Sequence, residues 1–219
     1  MRIRKKPYAK AELLASSVYI DDPRSYRGEW KRAFPEERPL AIELGCGKGH
    51  FISELSYRDR SRNFIAIDIK DEMLLLAKRN IENRFGDEEK NVHITVCNIE
   101  RIDEIFSLED DIETVYINFC NPWPKAKHNK HRLTHTRQLM TYRRFLKPGV
   151  RFYFKTDDLD LFTASKEYFR ESGFDIIFES EDFSVSGFED NIVTEHEKMF
   201  MEHGETIKGL IAVLKEGQI

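Results

Sequence analysis

Asn118, Cys120, Asn121, Trp123 and Lys125 fall within eight positions of one another, directly after the apolar run Val115-Tyr116-Ile117. A change from β-branched and aromatic residues to amides, a thiol and an ammonium marks the end of a strand that opens onto a polar site. Pro122 and Pro124 bracket Trp123 and hold the backbone out of helix and sheet, since proline fixes its own φ and pushes the residue before it toward extended conformations. The loop is expected to be stiff. Lys125, Lys127, Lys130 and Arg132 follow, with His128, Asn129 and His131 among them and no acid in the run. A stiff polar loop beside a cationic segment suits a polyanion that presents one group to be positioned. The cations would repel a metal ion, so His128 and His131 read as polar contacts and no metal is expected.

A second cluster lies upstream. Gly45-Cys46-Gly47-Lys48-Gly49 follows the apolar run Leu40-Ala41-Ile42-Glu43-Leu44. Glycines at a strand-to-helix turn accept positive φ and let a ligand approach the backbone. The spacing is GxGxG: His50 stands where a dinucleotide fingerprint has its third glycine, and no Gly-Lys-Ser/Thr follows to make a Walker loop. Asp68 closes the next apolar run, a place from which a carboxylate reaches ribose hydroxyls across a doubly wound sheet. Asn98 ends the run after that, where it can meet an adenine edge, and Glu43 sits just ahead of the glycines. Glu43, Gly45, Gly47, Asp68 and Asn98 together point to a nucleoside-bearing cofactor.

The elements that position these clusters follow from the pattern after Pro39, where short apolar runs alternate with amphipathic segments in the manner of βαβ units around a parallel sheet. Strands are expected at 40–44, 63–69, 92–97, 113–119 and 150–155. The clearest helix, 71–84, puts Met73, Leu74, Ala77 and Ile81 on one face, with Asp71 as its cap. A helix over 159–171 precedes two runs, 174–179 and 210–214, read as an antiparallel pair closing the sheet. Residues 1–38 show no sustained period and read as an extended basic arm with a short helix near 11–17; residues 39–219 form the one main domain. Arg2, Arg4, Lys5, Lys6 and Lys10 make that arm a candidate for nucleic-acid phosphates.

Totals bound the class. The 219 residues, 40% hydrophobic and 34% charged, can bury one sizeable core. Net charge is -4, so anion binding must be local, in the two basic patches. Cys46, Cys97 and Cys120 form no CxxC pair, which argues against a disulfide framework or a zinc site. No apolar run is long enough to span a membrane and no leader is evident, so a soluble cytoplasmic protein, a monomer or a homodimer, is expected.

The glycine turn, the ribose acid and Leu146-Lys147-Pro148-Gly149 before the fifth strand resemble the Rossmann-like S-adenosylmethionine-dependent methyltransferases. That resemblance implies an α/β fold with a seven-stranded, mostly parallel sheet, an antiparallel last strand and helices on both faces. Residues 118–132, together with Lys155-Thr156-Asp157 and Thr194-Glu195-His196-Glu197, are similar to the bacterial tRNA (guanine-N7)-methyltransferase family, which modifies a guanine in the tRNA variable loop. The resemblance implies S-adenosyl-L-methionine as cofactor, held at Glu43, Gly45, Gly47, Asp68, Asn98 and Asn121. It implies substrate contacts at Lys125, Asp157, Thr194, Glu195, His196 and Glu197. It also implies tRNA contacts at Lys127, His128, Asn129, Lys130, His131 and Arg132, and a catalytic place for residue 121.

At that place the family usually has Asp, in a DPWPK run, and this chain has Asn121; Asn98 likewise stands where Asp is common. An amide cannot serve as a general base. Guanine N7 carries a free in-plane lone pair and needs no deprotonation to accept a methyl group, so positioning and charge stabilisation are what the site must supply. Two other functions fit parts of the pattern. One is an amino-group methylase of the Asn-Pro-Pro-aromatic type, against which positions 123 and 124 run in inverted order. The other is a non-catalytic RNA-binding protein on the same fold. Structural roles also compete at two places: Asp157 as the cap of the following helix, and Thr194 with Glu197 as a capping box.

Overall fold

The computed structural model describes residues 6–183, 192–193 and 195–217. The N-terminal stretch lies against the sheet instead of running extended. Helix α1 (Ala9–Leu14) buries Ala9 and Leu13, and strand β1 (Tyr19–Ile20) pairs in parallel with the strand formed by Val92–Val96. Trp30 is fully buried, its indole N–H donating to the Ile105 carbonyl at 2.7 Å and its backbone N–H to Asp110 at 3.0 Å. Apolar anchors spaced irregularly along 3-10 turns leave no period to read, which is why the stretch looks like an arm in sequence. Arg2, Arg4 and Lys5 of its basic tip lie outside the described residues.

Strands β2 (Leu40–Leu44), β3 (Asn63–Asp68), β4 (Val92–Val96), β5 (Ile112–Asn118) and β6 (Arg151–Thr156) occupy the five predicted runs within a residue or so. They are joined through α2 (His50–Arg58), α3 (Asp71–Phe85) and α4 (Thr136–Tyr142), and α5 (Leu159–Glu171) leads out of β6. Strand β7 (Phe174–Ser180), helix α6 (Glu195–Glu202) and strand β8 (Lys208–Leu214) complete the chain. The sheet order is β1-β4-β3-β2-β5-β6-β8-β7. Only β8 runs antiparallel, to both β6 and β7, as the pairing of the last two runs predicts. The seven expected strands are β2 to β8; the N-terminal stretch adds an eighth at the far edge.

Both faces of the sheet are covered, so its strands are apolar at nearly every position rather than alternating. Ile42, Ile65, Val115 and Phe152 pack toward α4 and α5, while Ala41, Phe64, Ala66 and Tyr116 pack toward α2 and α3. Helix α3 meets the sheet through Leu74, Ala77, Ile81 and Phe85, the 3–4 spacing of one helical face. Asp71 lies inside this helix; the cap position is Lys70, without a side-chain bond. Gly49 begins α2 at φ +72°, and a Cβ there would stand 2.5 Å from the Ala77 Cβ, so only glycine lets α2 and α3 approach this closely. No helix among the described residues is long and apolar enough to cross a membrane.

Candidate active site

Strand order in the sheet reverses at β2, which has β3 in parallel on one side and β5 in parallel on the other. The carboxyl ends of strands at such a switch point form a crevice, and the predicted cofactor residues gather there. The turn after β2 takes positive φ at Gly45 (+78°) and Gly47 (+54°). A Cβ on Gly47 would lie 3.4 Å from Met73 Cε, in space that the turn otherwise leaves open. Asp68, at the end of β3, accepts the Gly47 N–H at 3.0 Å on one oxygen and the Lys70 N–H at 3.0 Å on the other. Burial raises its pKa and these backbone donors oppose the rise. A carboxylate offers about four acceptor positions, so Asp68 is fixed in place with capacity left for hydroxyls. Asn98 caps the turn after β4 by accepting the Glu100 N–H at 3.1 Å, which leaves its amide N–H groups outward on an exposed residue.

Glu43 is buried at the end of β2, and burial pushes its pKa up to about 7 against the opposing pull of Asn118 and Lys155. Asn118 at the end of β5 donates from its amide to Glu43 Oε1 at 3.2 Å. Glu43 Oε2 and Asn118 Oδ1 are both buried without a hydrogen-bond partner among the described residues. Buried acceptors left without a partner among the described residues offer a place to a further donor.

The loop after β5 is braced at points beyond its two prolines. Phe119 (φ +51°) and Trp123 (φ +45°) adopt left-handed backbone, which side chains other than glycine rarely accept. Asn121 holds the second of these: its Oδ1 accepts the Trp123 N–H at 3.0 Å. Arg132 holds the loop from behind, donating to the Pro122 carbonyl at 2.7 Å. Arg132 is only 5% exposed, so among the residues predicted to touch RNA it is the one that faces inward. Strain at functional loops persists where surrounding bonds over-determine it, and here a side-chain amide and a guanidinium do so. Asn121 itself is exposed.

Residues 126–131 form a 3-10 helix. Lys125, Lys127 and Lys130 are exposed on and before it, with no ion pair among the described residues. His128 and His131 gather round Trp123, ring centroids 5.8 and 5.4 Å away, and His131 Nδ1 lies 2.7 Å from Glu100. Asn129 is half-buried, with its Oδ1 unpartnered. No group of three or more metal-ligating side chains occurs among the described residues.

Asp158, not Asp157, caps α5 by accepting the Leu161 N–H at 2.7 Å. Asp157 is thereby released from a structural duty and stands half-buried at the end of β6, its pKa raised chiefly by burial. Glu197 on α6 accepts from Lys155 Nζ at 2.7 Å. Thr194 lies outside the described residues, and of Glu195 and His196 only the helical backbone is described. Phe200 of α6 stacks on Phe119 at 6.0 Å, so helix and loop meet.

Lys155, which the sequence offers only as part of a motif and without a role, is a buried charge at this strand end. It is 6% exposed, donates also to the Ile192 carbonyl at 3.0 Å, and burial lowers its pKa against the pull of Glu197 and Glu43. A lysine ending an otherwise apolar strand run was the available signal, since charge is seldom buried without a partner.

Comparison with known proteins agrees with this geometry. Residues 37–210 match the model of a family described as "Putative methyltransferase". The tRNA (guanine-N(7)-)-methyltransferase of Ruminiclostridium cellulolyticum is 50% identical, over 99% of this chain and 93% of its own length. That of Clostridium botulinum (strain Eklund 17B / Type B) is 49% identical, over 99% of this chain and all of its own length. Among solved structures, the 16S rRNA methyltransferase KamB superposes with a TM-score of 0.61 at 12% identity, covering 86% of this chain and 93% of that one. An antibiotic-related methyltransferase gives 0.59 at 20% identity, covering 90% and 96%. These two share the fold. The near full-length match to relatives at half identity places this chain in the bacterial tRNA (guanine-N7)-methyltransferase family, as an enzyme of that type.

Proposed function

We propose that the chain transfers a methyl group from S-adenosyl-L-methionine to N7 of a guanine in the variable loop of tRNA, and that it does so in the cytoplasm. The observation that carries this reading is the meeting, at one switch point, of a nucleoside-type crevice and an exposed, braced Asn121 loop flanked by unpaired lysines. The crevice suits the cofactor by the chemistry of its donors and acceptors. Asp68 has acceptor capacity for ribose hydroxyls, Asn98 presents an amide for an adenine edge, and the orphaned Glu43 Oε2 is placed to take an ammonium. When bound, the cofactor supplies an electrophilic methyl group on a sulfonium sulfur.

The residues of this chain then have to hold the guanine and offset the positive charge that grows on it. N7 brings its own lone pair, so no side chain needs to remove a proton. Asn121 keeps the loop in its left-handed turn and orients the base through its remaining amide group. Asp157, uncommitted to a cap, supplies negative field near the developing cation. Lys125 reaches phosphate or guanine O6, and Lys127 and Lys130 take backbone phosphates, with His128 and Trp123 offering ring faces to a base. The family resemblance also assigns substrate contacts to Thr194, Glu195 and His196. Arg132 holds the loop, and Glu197 holds α6.

The test is methyl incorporation from labelled cofactor into unmodified tRNA, followed by mapping of the product base. 7-Methylguanine in the variable loop is expected. A methylated exocyclic amine would establish the amino-group alternative, and intact tRNA binding without incorporation would establish a non-catalytic binder.

A further inference from the structure

The run 125–132 contains no acid, yet one acid reaches it from 31 positions away. Glu100 Oε1 lies 2.7 Å from His131 Nδ1, at the last residue of the 3-10 helix over 126–131. An ionised carboxylate only accepts, so the proton between them belongs to Nδ1, and the bond fixes how the imidazole is turned. The ring packs on Trp123 with centroids 5.4 Å apart, and the Trp123 N–H donates to Asn121 at 3.0 Å. The next residue, Arg132, donates to the Pro122 carbonyl. Two consecutive side chains thus grip two consecutive residues of the loop.

Glu100 is itself held on the cofactor side. It is the second residue of the 3-10 turn Ile99–Glu104, whose cap is Asn98: Asn98 Oδ1 accepts the Glu100 N–H at 3.1 Å. Buried Gln138 of α4 donates to the Ile99 carbonyl at 2.7 Å and pins the turn. The neighbouring Arg101 bonds to Glu104 at 2.6 Å, which leaves Glu100 to His131. A continuous set of contacts therefore runs from Asn98, proposed above for the adenine edge, through Glu100, His131 and Trp123 to Asn121. Stability does not account for the pair. The Glu100 and His131 side chains are 38% and 34% exposed, and pairs open to water add little to folding.

We propose that Glu100 is a positioning residue for methyl transfer: by fixing His131 it sets the Asn121 loop, and the guanine held there, at the distance and angle from the cofactor that in-line reaction requires. The inference rests on the tRNA reading above. Backbone and side chain of this one residue act at different ends. The N–H belongs to the Asn98 cap and remains when the side chain is cut back; the carboxylate belongs to His131. Removing the carboxylate therefore loosens the loop without disturbing the cofactor site. Guanine N7 needs no base, so geometry is a large part of what the site supplies, and an error of about 1 Å can cost about 100-fold in rate.

The experiment compares wild type with Glu100→Ala, Glu100→Gln, His131→Ala and the double variant Glu100→Ala/His131→Ala. Methyl incorporation into unmodified tRNA is measured, with cofactor affinity and melting temperature followed in parallel. Glu100→Ala should lower kcat by about 10-fold, a part of what a full ångström of misplacement costs, while cofactor affinity and melting temperature stay at their wild-type values. Glu100→Gln keeps a carbonyl oxygen for the Nδ1–H and should recover most of that loss, which a role through charge alone would not give. In the double variant the losses should not add, because the two side chains act as a unit. Wild-type kcat in Glu100→Ala overturns the inference and leaves the tRNA reading standing. So do equal losses in the alanine and glutamine variants, additive losses in the cycle, or a loss of kcat that tracks a fall in melting temperature. Wild type that transfers no methyl group to tRNA overturns the tRNA reading and this inference with it.

Discussion

Substituting Glu197→Gln tests whether α6 is anchored to the catalytic end of the sheet by the pair it makes with Lys155. The two side chains are 2% and 7% exposed, 2.7 Å apart. Removing one charge deprives the ammonium of its carboxylate; the Ile192 carbonyl and the more distant Glu43 are among the groups that still face it. Breaking a buried pair from one side costs about 3–5 kcal/mol, because the remaining charge is stranded away from water. Lysine can shed its proton in response, and burial already lowers the Lys155 pKa, so the lower end of that range is expected. At about 2.1 cal/mol/K of unfolding entropy per residue, a chain of this length has about 0.46 kcal/mol/K, and a loss of about 3 kcal/mol lowers the melting temperature by about 7 °C.

Differential scanning calorimetry at pH 7 reads this directly, and the double variant Lys155→Met/Glu197→Leu completes the measurement. Replacing both charges by apolar groups of similar size should restore most of the stability, since neither charge is then buried. Methyl transfer should not return with it: kcat/KM for tRNA should stay low in the double variant if, as proposed, α6 carries substrate contacts that the pair positions. A fall under about 1 kcal/mol in Glu197→Gln, with additive effects in the cycle, would refute the anchoring role. It would mean that α6 is held by Phe119–Phe200 stacking and the chain on either side.

Glu43 makes stability pH-dependent in a defined direction. Its pKa in the fold, about 7, lies above the unfolded value of about 4.3, so the folded state holds the extra proton. The contribution is complete below about pH 4.3 and is lost as pH rises through about 7, on the order of 3 kcal/mol in all. Glu43→Gln should therefore flatten the fall in melting temperature between pH 5 and pH 8, and identical profiles would refute the buried-acid reading. Asn121→Asp keeps an oxygen for the Trp123 N–H and should retain at least wild-type turnover, whereas Asn121→Ala should lose about 10-fold or more by releasing the turn. A large loss in the aspartate variant would assign the amide N–H a donor role toward guanine. Lys127→Ala/Lys130→Ala should weaken tRNA binding and reduce its salt slope with little change in melting temperature. Arg132→Ala should do the reverse, costing about 1–3 kcal/mol of stability through the lost bond to Pro122 and its buried stem.

Where a segment is regular, its pattern in the sequence carried the fold. Helix α5 spans the predicted 159–171, and α3 ends one residue past its predicted end, because a 3–4 apolar spacing and the following Gly86 define both face and stop. The parallel strands were legible for the same reason, as short apolar runs at βαβ spacing. The N-terminal packing was not: Trp30 is held by two hydrogen bonds to residues 75 and 80 positions away, and such long-range partners leave no local trace. The cap expected at Asp71 was misplaced by one residue, and the capping role weighed against a substrate contact at Asp157 belongs to its neighbour Asp158, since only backbone geometry decides which residue precedes the first turn. Polar residues at the ends of apolar runs were legible as a group at the strand ends. Their division of labour was not, because Arg132 looks like its exposed neighbours Lys127 and Lys130 until its burial is known.

That division bears on the amide at residue 121. In a reaction whose nucleophile carries no proton, the residue at this place has two separable tasks: holding the loop's shape and setting its charge. Asn121 performs the first through one oxygen and the Trp123 N–H, a bond that any Asx side chain can make. The second does not have to come from the same atom, because an electrostatic field acts across a few ångströms, whereas a hydrogen bond acts only in contact. Asp157 at the end of β6 carries a carboxylate that no helix start requires, and Glu43 at the end of β2 becomes an anion as pH rises through about 7. An exposed amide at the loop tip is thus compatible with methyl transfer to a neutral ring nitrogen, and on the proposed reading the charge is supplied by the carboxylates at the strand ends.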